Sequence, residues 1–188
     1  MTGGERVGVF GGSFNPPHVA HVLAATYALL VAPIDRVLVV PVFKHPFSKE
    51  LVSYEDRLAM CELAFRDLER ASVSPIEREL GGESLTLKTL EALARANPSW
   101  KMRLILGSDV VSDLPKWHRF DRIAEIAEPF ILERRGATSR QDRALLPEVS
   151  STEVRGLLAS GDRLGLEPLL PRAVLEYIFE RGLYASGR

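Results

Sequence analysis

With 188 residues, 46% of them hydrophobic and 26% charged, the chain has the size and composition of one globular domain, which sets aside collagen-like, low-complexity and disordered classes. Its 24 Lys and Arg against 25 Asp and Glu give a formal net charge of -1, so no global basic field draws it to nucleic acid. The single cysteine, Cys61, rules out an internal disulfide framework and falls in an apolar helical pattern that predicts core packing.

The opening MTGGERVGVF lacks the basic, apolar and small-residue succession of a signal peptide. No apolar run approaches the roughly 18 residues that span a bilayer. A cytoplasmic protein with neither membrane nor nucleic-acid partner is expected.

Five β-rich runs follow one another along the chain: RVGVF (6–10), RVLVVPV (36–42), SVSPIE (72–77), MRLILG (102–107) and PFILER (129–134). Their continuous apolar character fits strands covered on both faces. Helical patterns lie between them at Val19 to Leu30, Tyr54 to Leu68, Leu85 to Ala96 and Phe120 to Ala127, with Ser53 and Asp56 spaced as a capping box. Pro98 disfavours helix at Asn97, so NPSW (97–100) stops the third helix. The Arg-rich stretch 134–149 reads as a surface loop, and two short helices then close the chain, the last opened by Pro171 and ended by Gly182. Alternation of strand and helix predicts βαβ units in an α/β fold, a doubly wound parallel sheet. The whole of 1–188 is expected to form one domain, with an α/β body over about 6–149 and a C-terminal helical cap over about 150–184.

In open parallel sheets ligands gather beyond the carboxyl ends of the strands, and the first predicted strand ends at Phe10, just before Gly11 and Gly12. The glycine pair permits close approach of backbone N–H groups to an anion. Pro16 and Pro17 then lead into a helix whose N-terminal dipole favours negative charge. His18 and His21, three residues apart, would share a face of its first turn, where a phosphate would sit. The same pair also suits a surface feature or half of a metal site, although zinc would require two further ligands.

The string GGSFNPPHVAH (11–21) resembles the signature of the nucleotidyltransferase superfamily of adenylyl- and cytidylyltransferases. The serine- and threonine-rich helix start EVSSTEVRGLL (148–158) resembles that superfamily's second element. LILGSDVVSDLPKWHRFDRI (104–123), ERELGGESLTLKTLEAL (77–93), FILERRG (130–136) and LLPRAVLEYIFERGLY (169–184) narrow the likeness to bacterial nicotinate-nucleotide adenylyltransferases, from Val7 to Tyr184. The resemblance implies a Rossmann-like fold and transfer of the adenylyl group of ATP to nicotinate mononucleotide, with Mg2+ held through the phosphates and no metal ligated by the protein itself.

It also implies a set of site residues. Gly11, Gly12, Ser13 and Phe14 would form the turn under the ATP phosphates, and His18, His21 and Arg155 would serve catalysis there, with Ser151 and Thr152 at the start of the C-terminal helix. Gly107 and Asp109 would take the adenosine part. Trp117 would stack on the nicotinate ring, with Thr86 and the backbone at His118 receiving its carboxylate and Arg135 helping to hold the nucleotide.

Three departures from the family pattern stand out: Ala20 replaces the glycine between the histidines, Leu85 replaces an aromatic before the threonine, and VPVFKHPFSKE (40–50) lacks a Pro-Pro-His-Lys loop. The last two leave open an acceptor such as nicotinamide mononucleotide or phosphopantetheine. A noncatalytic nucleotide-binding protein is the remaining reading.

Overall fold

A computed structural model describes residues 4–44, 51–132 and 147–185. Five parallel strands, β1 (Arg6–Gly12), β2 (Arg36–Pro41), β3 (Ala71–Val73), β4 (Lys101–Gly107) and β5 (Ala127–Leu132), form one sheet in the order β3-β2-β1-β4-β5. The order reverses between β1 and β4, which opens a crevice at their carboxyl ends.

Strand side chains alternate between two cores, as the pleat requires. Phe10, Val37, Val39 and Ile105 face α1 (Val19–Val31), α2 (Tyr54–Phe65) and the C-terminal helices α6 (Ser151–Ser160), α7 (Arg163–Leu166) and α8 (Arg172–Arg181). Val7, Val9, Leu38, Val40, Met102, Leu104 and Leu106 face α4 (Thr86–Ala96) and α5 (Phe120–Ile126). Because both faces are covered, the strands carry apolar residues continuously rather than every second residue. Helices on both faces of an all-parallel sheet make this a Rossmann-like α/β fold.

The structure corrects several boundaries. The strand expected over 72–77 stops at Val73, and Ile76–Leu80 is a short helix, α3, with Pro75 at its N-cap. Ser74 still donates to the carbonyl of Val39, but Pro75 has no N–H to continue the ladder. The fifth strand begins at Ala127 because its pairing with Met102 starts as soon as α5 ends, and a 3-10 helix at Ser108–Lys116 follows β4 where no element was expected. The first strand does not end at Phe10. Gly11 and Gly12 remain in the ladder opposite Val40 and Pro41.

At the start of α2 the Ser53 hydroxyl accepts from the Asp56 N–H at 3.0 Å and donates to the Asp56 carboxylate at 2.7 Å. The predicted pair is present, with the carboxylate turned to the hydroxyl. Asp56 Oδ1 also accepts from Tyr177 at 2.9 Å and from Arg181 at 3.1 Å, which ties α8 to α2. Cys61 is buried in the core, and burial pushes its thiol pKa up. Among the described residues no helix is long and apolar enough to cross a membrane.

Candidate active site

After Gly12 the chain turns sharply through Ser13 and Phe14. Phe14 has φ +46°, a left-handed conformation uncommon for a bulky residue. Its ring turns inward, edge-on to Phe10 at 5.6 Å and to His21 at 4.9 Å between centroids. A Cβ on Gly12 would lie 3.1 Å from that ring. The glycine therefore makes room for Phe14, a packing demand additional to the anion approach expected of the glycine pair.

His18 is the N-cap of α1 and His21 its third residue, so the two do not merely share a helix face. The His18 N–H donates to His21 Nδ1 at 3.1 Å, and the ring centroids are 3.8 Å apart with a 31° tilt. With Nδ1 accepting, the ring proton of His21 belongs on Nε2. His18 is only 2% exposed, wedged at the base of the cavity. Ala20 points into the core and lines neither cavity, which explains why a methyl group is accommodated between the histidines.

From the other end of the chain, α6 brings a second set of groups to this turn. Ser150, not Ser151, is its N-cap, and accepts from the Glu153 N–H at 3.1 Å. Ser151 instead donates to the Pro16 carbonyl at 3.0 Å, while Arg155 donates to the Asn15 carbonyl at 2.8 Å and to Thr152 Oγ1 at 3.2 Å. The N-terminus of a ten-residue helix, a guanidinium and two imidazoles thus converge on one cavity of about 550 Å3 lined by Ser13, Phe14, His18, His21, Asp109, Ser151, Thr152 and Arg155. Free helix N–H groups and a fork of guanidinium donors suit an oligophosphate.

A second cavity of about 540 Å3 opens alongside and shares Ser13 and Asp109 with the first. Gly11, Gly12, Gly107, Thr86, Trp117 and His118 line it, together with Leu85, Ser84 and Glu77. Thr86 opens α4, so N–H groups of that helix start face this space. Trp117 ends the 3-10 helix and meets Phe120 edge-on at 6.4 Å. Gly11 and Gly12, expected under the ATP phosphates, and Gly107, expected beside the adenosine, therefore stand in the wall that also holds the ring-binding candidates. Arg135 lies outside the described residues, as does most of the divergent 44–49 loop.

Several wall residues were missed in the sequence. Asn15 is buried, and its Oδ1 accepts from Tyr184 at 2.8 Å and from the Val52 N–H at 3.2 Å. Tyr184 in turn is half-buried, and burial, the largest influence on it, pushes its pKa up. Glu77 accepts from the Phe43 N–H at 3.0 Å and from Thr89 at 3.0 Å, and Ser84 accepts from the Phe43 N–H at 2.9 Å. The signal for Glu77 and Thr89 is absent from local pattern, since their partners are distant. Among the described residues no group of three or more His, Cys, Asp or Glu is placed to hold a metal ion.

The chain is similar along nearly its whole length to proteins already known. Residues 9–157 match the cytidylyltransferase-like family. A protein of Anaeromyxobacter dehalogenans (strain 2CP-C) described as a probable nicotinate-nucleotide adenylyltransferase is 42% identical over 98% of this chain and 99% of its own. One of Myxococcus xanthus with the same description is 38% identical over 97% and 96%. A Plasmodium falciparum nicotinic acid mononucleotide adenylyltransferase, solved in complex with NaAD, superposes with a TM-score of 0.81 over 96% of this chain and 97% of its own at 19% identity, a likeness of fold. On family match, full-length identity and fold together, the chain belongs to the cytidylyltransferase-like family and, within it, to the nicotinate-nucleotide adenylyltransferases.

Proposed function

We infer that the protein transfers the adenylyl group of ATP to nicotinate mononucleotide, giving nicotinate adenine dinucleotide and pyrophosphate in NAD biosynthesis. The observation that carries this reading is the pairing of two adjoining cavities across Ser13 and Asp109, one rich in phosphate donors and the other walled by Trp117 and a helix start. In the reaction an oxygen of the 5'-phosphate attacks the α-phosphorus of ATP, the bond to the β-phosphate oxygen breaks, and pyrophosphate leaves with its electron pair. No covalent enzyme intermediate is required. Alignment of the two phosphates and stabilisation of charge on the α-phosphoryl oxygens supply the rate.

In this reading the triphosphate lies over Ser13 and Phe14 against the start of α6. His18 and His21 Nε2–H donate to phosphoryl oxygens, and Arg155, already anchored to Asn15 and Thr152, offers its remaining N–H groups. Gly11, Gly12, Gly107 and Asp109 border the nucleoside. Trp117 stacks on the pyridine ring, while Thr86 and the backbone at His118 receive the carboxylate. Mg2+ would neutralise charge on the phosphates that would carry it, and Asp109, in the wall of the first cavity, is the carboxylate that would be at hand there. Dependence on ATP fits the cytoplasmic setting expected from the sequence.

The test is pyrophosphate release from Mg-ATP with nicotinate mononucleotide, nicotinamide mononucleotide or phosphopantetheine as acceptor. Fastest release with nicotinate mononucleotide is expected. Preference for another acceptor corrects the substrate, and release with none of the three overturns the reading.

A further inference from the structure

Arg57, in the first turn of α2, is 1% exposed and belongs to neither cavity wall. Its guanidinium is spent on three backbone carbonyls: Nη1 donates to Ser13 at 2.9 Å, Nε to Val52 at 3.2 Å and Nη2 to Phe43 at 3.4 Å. Burial of such a group is costly, and burial is the largest influence lowering its pKa. The side chain is retained in an otherwise apolar stripe of α2 with Met60, Cys61 and Ala64.

The three carbonyls belong to three separate segments, each bordering the site. Ser13 lies on the wall common to both cavities. Phe43 follows β2, and its N–H is held from the opposite side by Glu77 and Ser84, both in the wall of the second cavity. Val52 adjoins Leu51 of the first cavity, and its N–H donates to Asn15. A single planar fork thus sets the turn under one cavity against the backbone that walls the other. The same contact orients a dipole: in a trans peptide the carbonyl of Ser13 and the N–H of Phe14 point oppositely, so a cation on the carbonyl turns and polarises that N–H away from the core.

We propose that Arg57 is a positioning residue for adenylyl transfer, fixing the two substrate cavities at the mutual distance and angle that in-line attack requires. The proposal rests on the reading of the site as an adenylyltransferase. A lysine places one point charge there and lacks the planar fork, so charge alone does not replace it.

The experiment compares the unaltered enzyme with Arg57→Lys and Arg57→Met, assayed well below their thermal midpoints, with kcat from pyrophosphate release and the ATP dissociation constant from calorimetry without acceptor. The expected result is a kcat more than fivefold lower in both variants, with ATP binding alone changed less than threefold. A folded Arg57→Met or Arg57→Lys with kcat reduced less than fivefold overturns the proposal. So does a loss of ATP binding equal to the loss of kcat, because that damage belongs to one cavity and not to their alignment. If neither variant folds, hydrogen exchange on the unaltered protein decides: ATP alone is expected to slow exchange at Phe43 and Lys44, and unchanged exchange there overturns the link. An unaltered enzyme that binds ATP but releases no pyrophosphate with any acceptor refutes the adenylyltransferase reading separately, and the exchange measurement still tests the coupling.

Discussion

The backbone N–H of His18 donates to Nδ1 of His21 at 3.1 Å, so one histidine of the motif caps the helix while the other fixes it in place. The two rings have unequal duties. His18→Ala removes a donor from the base of the cavity and leaves that bond intact, so kcat is expected to fall roughly a hundred- to a thousandfold with ATP binding largely retained. His21→Ala removes a donor and also the acceptor for the His18 N–H, and is expected to lower the thermal midpoint as well. Rapid-quench turnover, calorimetric ATP titration and thermal melts distinguish the two. Near-normal turnover of His18→Ala would remove that ring from the reaction.

Arg155 reaches across the site from α6 to Asn15 at 2.8 Å. Arg155→Ala is expected to raise KM for ATP and lower kcat/KM roughly ten- to a hundredfold, the scale of one or two hydrogen bonds to a charged group. Arg155→Lys keeps the charge without the fork and is expected to fall between. Steady-state kinetics with varied ATP at saturating acceptor checks the order.

Trp117 lines the second cavity alone, so on the proposed reading its loss is expected to separate the two substrates. Trp117→Ala is expected to raise KM for nicotinate mononucleotide several-fold, in line with about 0.5–1.5 kcal/mol for an aromatic stack, while KM for ATP stays within twofold. An equal rise for both substrates would place Trp117 in packing against Phe120 instead.

A Cβ on Gly12 would lie 3.1 Å from the Phe14 ring, so the ring would have to shift by a few tenths of an ångström to admit it. Gly12→Ala is expected to cost roughly 1–3 kcal/mol of stability by overpacking, and to lower activity by shifting the turn that carries Ser13 and Phe14. Chemical denaturation read against turnover per folded molecule checks both parts.

Asp56 gives the stability a defined dependence on acid. Burial, the largest single influence, raises its pKa, but hydrogen bonds from Ser53, Tyr177 and Arg181 outweigh it and hold the carboxyl below its usual range. A carboxyl depressed in the folded state stabilises above its unfolded pKa, near 4, and loses that contribution as pH falls through the folded value. Unfolding of the unaltered protein is therefore expected to become easier as pH drops below about 4, and Asp56→Asn to flatten the profile across that window. A profile identical in the two proteins would show that the tie between α2 and α8 carries no acid dependence.

Much of the scaffold was legible in the chain because its signals are local. Apolar runs of strand length alternate with helical periods, Pro171 and Gly182 bound the last helix, and Gly182 has the positive φ of +59° that its residue type favours at a helix end. The α3 segment was misread because β-rich composition at 72–77 outweighed the one residue, Pro75, that ends the ladder. Arg57 does carry a local signal, a cation on the apolar face of a helix between Tyr54 and Cys61. Asn15 lies inside the GGSFNPPHVAH motif, but its partners Tyr184 and Val52 are far along the chain and local pattern does not reveal them.

The sequence by itself determined the parallel α/β scaffold, the resemblance that groups His18, His21, Ser151, Thr152 and Arg155 as candidate site residues, and the burial of Cys61. These follow from periodicity, turn residues and motif, all of which act over a few neighbouring residues. Only the tertiary structure decided that Gly12 yields space to Phe14, that Ser150 takes the cap and frees Ser151 for Pro16, and that Arg57 binds three loops at once. The first is set by how the Phe14 ring packs against Phe10 and His21, while the bonds of Ser151 and Arg57 join segments far apart in the chain, whose pairing no local pattern encodes.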